Sequence, residues 1–172
     1  TPFTASKFTW NAVDTAPLRL LPIELTMVDD LPVRLSDRAR IPYGTNPEVL
    51  LYFMDTRASP PEGQGIWVQA KGTAEIIVRS EHPLTAVKLT WQSPVANHVS
   101  AGIAGHRADF DLQAGQRITT RLPMGPGVTY TRGSQAYVLR LRADRGFVPR
   151  LTDPASRDAR LLGAFVELTF EE

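Results

Sequence analysis

Apolar and polar side chains alternate with a period of two along most of this chain, which is the signature of half-buried β-strands. The clearest case is residues 136–170. Two alternating apolar runs, 136–143 and 161–170, flank a long loop rich in Arg and Asp. They predict two strands in the middle of a β-sandwich, tied together by that loop. Over 84–92, Val87, Leu89 and Trp91 fall on one side of a strand and Lys88 and Thr90 on the other. Ile23, Leu25 and Met27 alternate with Glu24 and Thr26, and Phe8 and Trp10 suggest a short edge strand. Residues 31–35 form a further short strand candidate. Residues 48–54 are almost continuously apolar, as in a central strand buried on both faces. Runs at 65–70 and 73–80 are separated only by Lys71 and Gly72, which predicts a hairpin. Residues 98–104 form a weaker strand candidate, and 109–112 is expected to pair with 117–122 across a turn containing Gly115.

No segment sustains a helical period. Turn clusters at 36–47, 55–65 and 123–133 separate roughly ten to twelve short strands. The expected fold is therefore all-β: a two-sheet antiparallel β-sandwich, jelly-roll-like, with little or no helix. The uneven strand lengths favour a sandwich over a closed barrel. The 172 residues are read as one domain, with an N-terminal extension over 1–47 as the alternative division.

Composition changes this picture in a few places. Fourteen Pro and twelve Gly fit many short strands with frequent turns. The formal net charge of +1 gives no bulk attraction to nucleic acid or to a membrane surface. The uninterrupted apolar runs are too short to span a bilayer as a helix. The absence of Cys excludes disulfides, thiolate metal sites and cysteine nucleophiles. The sequence begins at Thr1 without a charged-then-apolar leader, so a processed protein or an excised domain of a larger parent is expected.

The loop over 144–160 is the first candidate for chemistry. Arg is the side chain for planar, bidentate pairing with carboxylates, and the loop interleaves it with Asp. One reading makes these pairs a clamp that pins a crossover onto the sandwich, with Phe147, Val148 and Leu151 buried beneath it. The other makes an anion or polyol site from Arg145, Arg157 and Asp158, since loops at the end of a rigid sandwich carry binding sites.

Gly146, Phe147, Val148 and Pro149, followed by Asp153, Ser156, Asp158, Arg160, Leu162 and Gly163, form a recognisable pattern. Tyr52, Phe53, Asp55, Pro61, Gly65, Trp67 and Val68 supply its upstream part. The pattern resembles C-terminal β-sandwich accessory modules of bacterial membrane glycosyltransferases and other carbohydrate-active proteins. It covers about residues 48–170. The resemblance implies a carbohydrate-binding-like fold and an extracytoplasmic setting, periplasmic or at the cell surface. Met54 and Asp55 stand where two acidic residues are expected, which weakens a metal site there.

Other chemistry is sparse. His82, His98 and His106 show no metal-ligand spacing, and no nucleophile elbow or phosphate loop is present. Arg107, Asp109 and Asp111 share one face of a strand and read as a surface charge ladder. Asp14, Asp29, Asp30 and Asp37 leave a calcium site open without arguing for one. Among the aromatic residues, Trp91 is in phase with core positions. Trp67, after a Pro/Gly loop, and Tyr130, between glycines, are the candidates to stack on a sugar, with core packing as the alternative.

The leading expectation is a non-catalytic accessory module that binds carbohydrate, with Trp67, Tyr130, Arg145, Arg157 and Asp158 as ligand-binding residues. No cofactor is expected. Its partners would be a glycan and other domains of a parent protein, with no nucleic acid and no direct membrane insertion. A structural or assembly module is the first alternative. A small sandwich-fold hydrolase or lyase is the second.

Overall fold

A computed structural model describes residues 41–43, 46–129 and 134–172 of the chain. The strands expected near Trp10, over 18–28 and over 31–35, and the ring of Tyr130, lie outside the described residues. The described residues are almost entirely β. In chain order the strands are β1 (Ile41–Tyr43), β2 (Asn46–Phe53), β3 (Gly65–Gln69), β4 (Gly72–Ser80), β5 (Ala86–Gln92) and β6 (Asn97–Ile103). They continue with β7 (His106–Leu112), β8 (Arg117–Pro123), β9 (Val128–Thr129), β10 (Gln135–Ala143) and β11 (Leu162–Glu171). A single helical turn, α1 (Pro149–Thr152), sits in the loop between β10 and β11.

Two antiparallel sheets result. One has the order β1-β2-β4-β10-β6-β7, with β9 added against β10; the other is β3-β11-β5-β8. From β3 onward the chain changes sheets repeatedly, so that β3-β11-β5-β8 faces β4-β10-β6-β7. That order is the double Greek key of a jelly roll. The strands predicted from 136–170 are the inner ones of this arrangement. β10 lies between β4 and β6, and β11 lies between β3 and β5.

The alternation decides which face each strand buries. Ile76 and Val78 of β4, Leu139 and Leu141 of β10, and Val99 of β6 point inward from the larger sheet. Ile66 and Val68 of β3, Val166 of β11 and Val87, Leu89 and Trp91 of β5 meet them from the smaller sheet. Trp91 is fully buried and packs edge-on to Phe110, as its phase with Val87 and Leu89 requires. Non-directional burial of this kind, about 25 cal/mol for each Å² of apolar surface, is what holds two such sheets face to face.

Gly163 marks a close approach between them. A Cβ there would lie 2.7 Å from the Ala143 Cβ and 2.8 Å from the Val68 carbonyl oxygen. Gly163→Ala is therefore expected to cost about 1–3 kcal/mol, because neither backbone can withdraw. A urea titration checks this, and an unchanged midpoint would contradict it.

Several local expectations are corrected. Lys71 and Gly72 do not make a hairpin, because β3 and β4 belong to different sheets. Lys71 adopts φ of +63° and donates its N–H to the Ala143 carbonyl at 2.8 Å, so the chain steps across the sandwich edge there. The 109–112 and 117–122 segments also lie in different sheets: β7 pairs with β6, and β8 with β5. The β6–β7 hairpin turns at Ala104 and Gly105, both with positive φ, the requirement of a tight two-residue turn. β2 lies one strand from the edge of its sheet rather than at the centre. Leu151 is 78% exposed on α1 rather than buried beneath the loop.

Candidate ligand-binding face

The outward face of β3-β11-β5-β8 is set by the same alternation. With Ile66 and Val68 directed inward, Trp67 and Gln69 must point out. With Ala164 and Val166 inward, Phe165 and Glu167 point out. Register then aligns these side chains in rows. Trp67 faces Phe165, Phe165 faces Gln92, and Gln92 faces Arg117. In the next row Glu167 lies beside Thr90, which lies beside Thr119.

The two ends of this face differ in character. Towards β8 the polar groups are already matched. Arg117 pairs with Glu167 at 2.9 Å, Arg121 with Glu171 at 2.9 Å, and Lys88 with Glu171 at 3.1 Å. Hydrogen bonds first from Arg121 and then from Lys88 hold the Glu171 carboxyl below its ordinary range. The Thr90 and Thr119 hydroxyls bond to each other at 2.9 Å.

Towards β3 the face is aromatic and its amides are unmatched. Trp67 is half-buried, with its ring centroid 5.2 Å from Phe165 and 5.9 Å from Phe147. Gly65 makes this cluster fit: a Cβ there would fall 2.6 Å from the Phe165 ring, so the ring lies over the bare backbone. The side-chain amides of Gln69 and Gln92 make no hydrogen bond among the described residues.

Two open clefts meet at Trp67. The wider, about 510 Å³, is lined by Glu62, Trp67, Gln92, Pro94, Gly115 and Phe165. The narrower, about 280 Å³, lies between the 56–60 segment and the start of β11, and includes Arg57, Ser59, Trp67, Gln69 and Arg160. Segment 57–59 is fixed along the free edge of β3: Gln69 N–H donates to the Arg57 carbonyl at 2.7 Å, and Ser59 N–H to the Trp67 carbonyl at 2.9 Å.

The loop over 144–160 borders the narrower cleft through its last residue. Phe147 and Leu162 exchange backbone hydrogen bonds at 2.8 and 2.9 Å, which lays the loop beside β11. Asn97 fixes its beginning. The Asn97 Oδ1 accepts the Arg145 N–H at 2.8 Å, and its Nδ2 donates to the Arg145 and Gly163 carbonyls at 2.8 and 3.1 Å. At the far end Arg160 Nε donates to both Asp158 oxygens at 2.9 and 3.0 Å, and its Nη1 reaches Glu62 at 3.0 Å.

The Arg160 guanidinium, followed by its backbone N–H, holds the Asp158 carboxyl at about 2, below its ordinary 3.8. The unfolded chain therefore takes up this proton first on acidification. The contribution of Asp158 to stability is complete above pH 3.8 and is lost as pH falls to about 2. Comparing Asp158→Asn with the parent chain by urea unfolding checks the window. The difference in midpoint should be flat near neutral pH and shrink across that range; a pH-independent difference would contradict the assignment.

The five sequence candidates are thus separated. Trp67 stands at the centre of the aromatic end of the face. Asp158 is occupied by Arg160. Arg145 is held through its backbone, and the side chains of Arg145 and Arg157 are exposed and make no ion pair among the described residues. Tyr130 lies outside the described residues. Arg57, Glu62, Gln69, Gln92 and Phe165 were not singled out by the sequence. For Gln69, Gln92 and Phe165 the signal was present: each is out of phase with the buried positions of its own strand. Arg57 and Glu62 come from the 55–65 loop and carry no local mark.

Among the described residues, no group of three or more His, Asp or Glu is placed to hold a metal ion, and no helix is long and apolar enough to cross a membrane. His98 and Asp111 pair at 3.0 Å, and Arg107 and Asp109 at 3.0 Å, as a surface ladder predicts.

No family model matches the chain, and no curated protein does. Among solved structures it is similar to a family two carbohydrate esterase from Clostridium thermocellum in complex with cellohexaose, at 17% identity and a TM-score of 0.37, over 70% of this chain. The chain spans 30% of that esterase's length. It is also similar to the family 11 carbohydrate-binding module from Clostridium thermocellum in complex with a β-1,3-1,4-mixed-linked tetrasaccharide, at 10% identity and a TM-score of 0.35, over 77% of this chain and 94% of that one. TmCBM61 in complex with β-1,4-galactotriose follows at 8% identity and a TM-score of 0.29, over 74% of this chain and 83% of that one. TM-scores in this range do not place two chains in one fold, and nothing those proteins bind transfers to this chain.

Proposed function

We propose that the chain is a non-catalytic accessory module that binds a glycan across the aromatic end of the β3-β11-β5-β8 face, with Trp67 as its platform. One observation carries this reading: a solvent-facing Trp67–Phe165 surface lies beside the unmatched amides of Gln69 and Gln92, between two open clefts. A sugar ring has an apolar C–H face and a rim of hydroxyls. An aromatic platform takes the first, and side-chain amides, which both donate and accept, take the second. The register of β3, β11 and β5 holds these groups on paired strands, so little ordering is needed on binding.

A hydrolytic role finds less support. Glycoside chemistry needs two carboxyl groups across the bond that breaks. Among the described residues, Glu62 is the one carboxylate lining either cleft, and Arg160 holds it at 3.0 Å.

The experiment is a glycan array followed by calorimetric titration of the strongest hit. Saturable binding without turnover of the glycan supports the module. Absence of binding to any glycan contradicts it and favours the assembly role. In this reading the module belongs to a larger extracytoplasmic bacterial protein, as the pattern over 48–170 implies. A phosphatase fusion to the native parent tests that location, and an inactive fusion would contradict it.

A further inference from the structure

Resting on this reading of the face, we infer that the narrower cleft receives an anionic substituent of the bound sugar: a carboxylate, sulfate or phosphate. The clefts on the two sides of Trp67 differ in charge. Glu62 lines the wider one, whereas the narrower one is lined, among the described residues, by Arg57 and Arg160 and by no carboxylate. Arg160 is neutralised by Asp158 and Glu62, although only three of its five N–H groups are engaged. Arg57 is different. Its backbone N–H is bonded to Asp55 Oδ1 at 2.7 Å and its carbonyl accepts from Gln69, but its guanidinium makes no ion pair among the described residues.

Arg57 is also held in place. Both of its backbone groups are bonded, and its side chain lies across Gly72, where a Cβ would come within 2.8 Å of the Arg57 Cδ and Nε. The stem therefore packs over Gly72 at the mouth of the cleft, and its exposed guanidinium is without an ion pair among the described residues. A guanidinium near the unmatched amide of Gln69 matches the flat, multiply accepting edge of an oxyanion. A neutral sugar in this cleft would leave that charge paired with water alone.

The test uses the full chain on an array of neutral, uronate-bearing, sulfated and phosphorylated glycans, with Arg57→Gln and the off-cleft control Arg150→Gln. The strongest hits should carry an anion, and the class that persists across hits identifies which one. Arg57→Gln should weaken those hits about tenfold or more and the neutral analogues less than about twofold, with Arg150→Gln unchanged. Hits confined to neutral glycans overturn the inference and leave the module intact. Acidic hits that Arg57→Gln does not weaken, or that Arg150→Gln weakens equally, also overturn it. No binding to any glycan overturns the module itself. Equal melting temperatures of the two variants and the parent chain exclude misfolding as the cause.

Discussion

Trp67→Ala is expected to lower glycan affinity by about thirtyfold or more, equivalent to about 2 kcal/mol, while the sandwich stays folded. The size follows from position. Among the described residues, Trp67 is the one side chain that borders both clefts. Removing its ring merges them into a wider depression and deletes the apolar surface on which a sugar would stack. The ring is half-buried and outside the core cluster, so the fold loses its partial burial and its contacts with Phe147 and Phe165, each contact worth about 0.5–1.5 kcal/mol beyond burial. Trp67→Phe keeps a smaller platform and should recover part of the affinity. Equal binding by Trp67→Ala and the parent chain, in calorimetry, would remove Trp67 from the site.

Asn97→Ala is expected to destabilise the chain by about 3 kcal/mol and to lower its melting temperature by roughly 6–12 °C. Asn97 is 4% exposed and makes three hydrogen bonds to backbone groups of other segments. Its amide stands in for a strand: it accepts from and donates to Arg145 as a paired residue does. It also reaches Gly163 on β11, so one side chain at the start of β6 fastens the loop and both sheets. Ser93 Oγ still donates to the Gly163 carbonyl at 2.9 Å, which spares that oxygen. The Arg145 N–H and carbonyl have no such substitute among the described residues. Asn97→Asp should cost more, because two carbonyls would then face a carboxylate where they now face an N–H₂. A loss below about 1 kcal/mol in urea unfolding would show that the loop is held by other means.

The strands were legible because burial is periodic. Val87, Leu89 and Trp91 alternate with exposed residues, and the same rule separates Trp67 from Ile66 and Val68. Pairing was less legible, since alternation gives the faces of a strand but not its neighbours. Lys71–Gly72 looks like a hairpin from sequence and is a sheet crossing; Ala104–Gly105 is a hairpin that an Ala at positive φ conceals.

The candidate site follows the same division. Trp67 could be picked out within its own strand. Arg57 and Glu62 reach it through the 55–65 loop folding back along the edge of β3, and Gln92 and Phe165 through the jelly-roll order, which sets β11 between β3 and β5. The charged loop, prominent in the sequence, is satisfied in part: Asp158 and Arg160 bind each other and Asn97 holds the backbone of Arg145, while the Arg145 and Arg157 side chains make no ion pair among the described residues. Prominence of charge along a chain reports residues that will need partners. It does not report whether the partner is the protein or a ligand.

Nuclear magnetic resonance of the indole N–H groups during titration with the strongest-binding oligosaccharide tests the central claim most directly. The chain has three Trp, and Trp67→Phe identifies the Trp67 signal. If the face around Trp67 is the binding site, that signal shifts and saturates with the calorimetric affinity, while Trp91, sealed at 0% exposure in the core, stays in place. Saturable glycan binding that leaves the Trp67 signal unmoved would contradict the account.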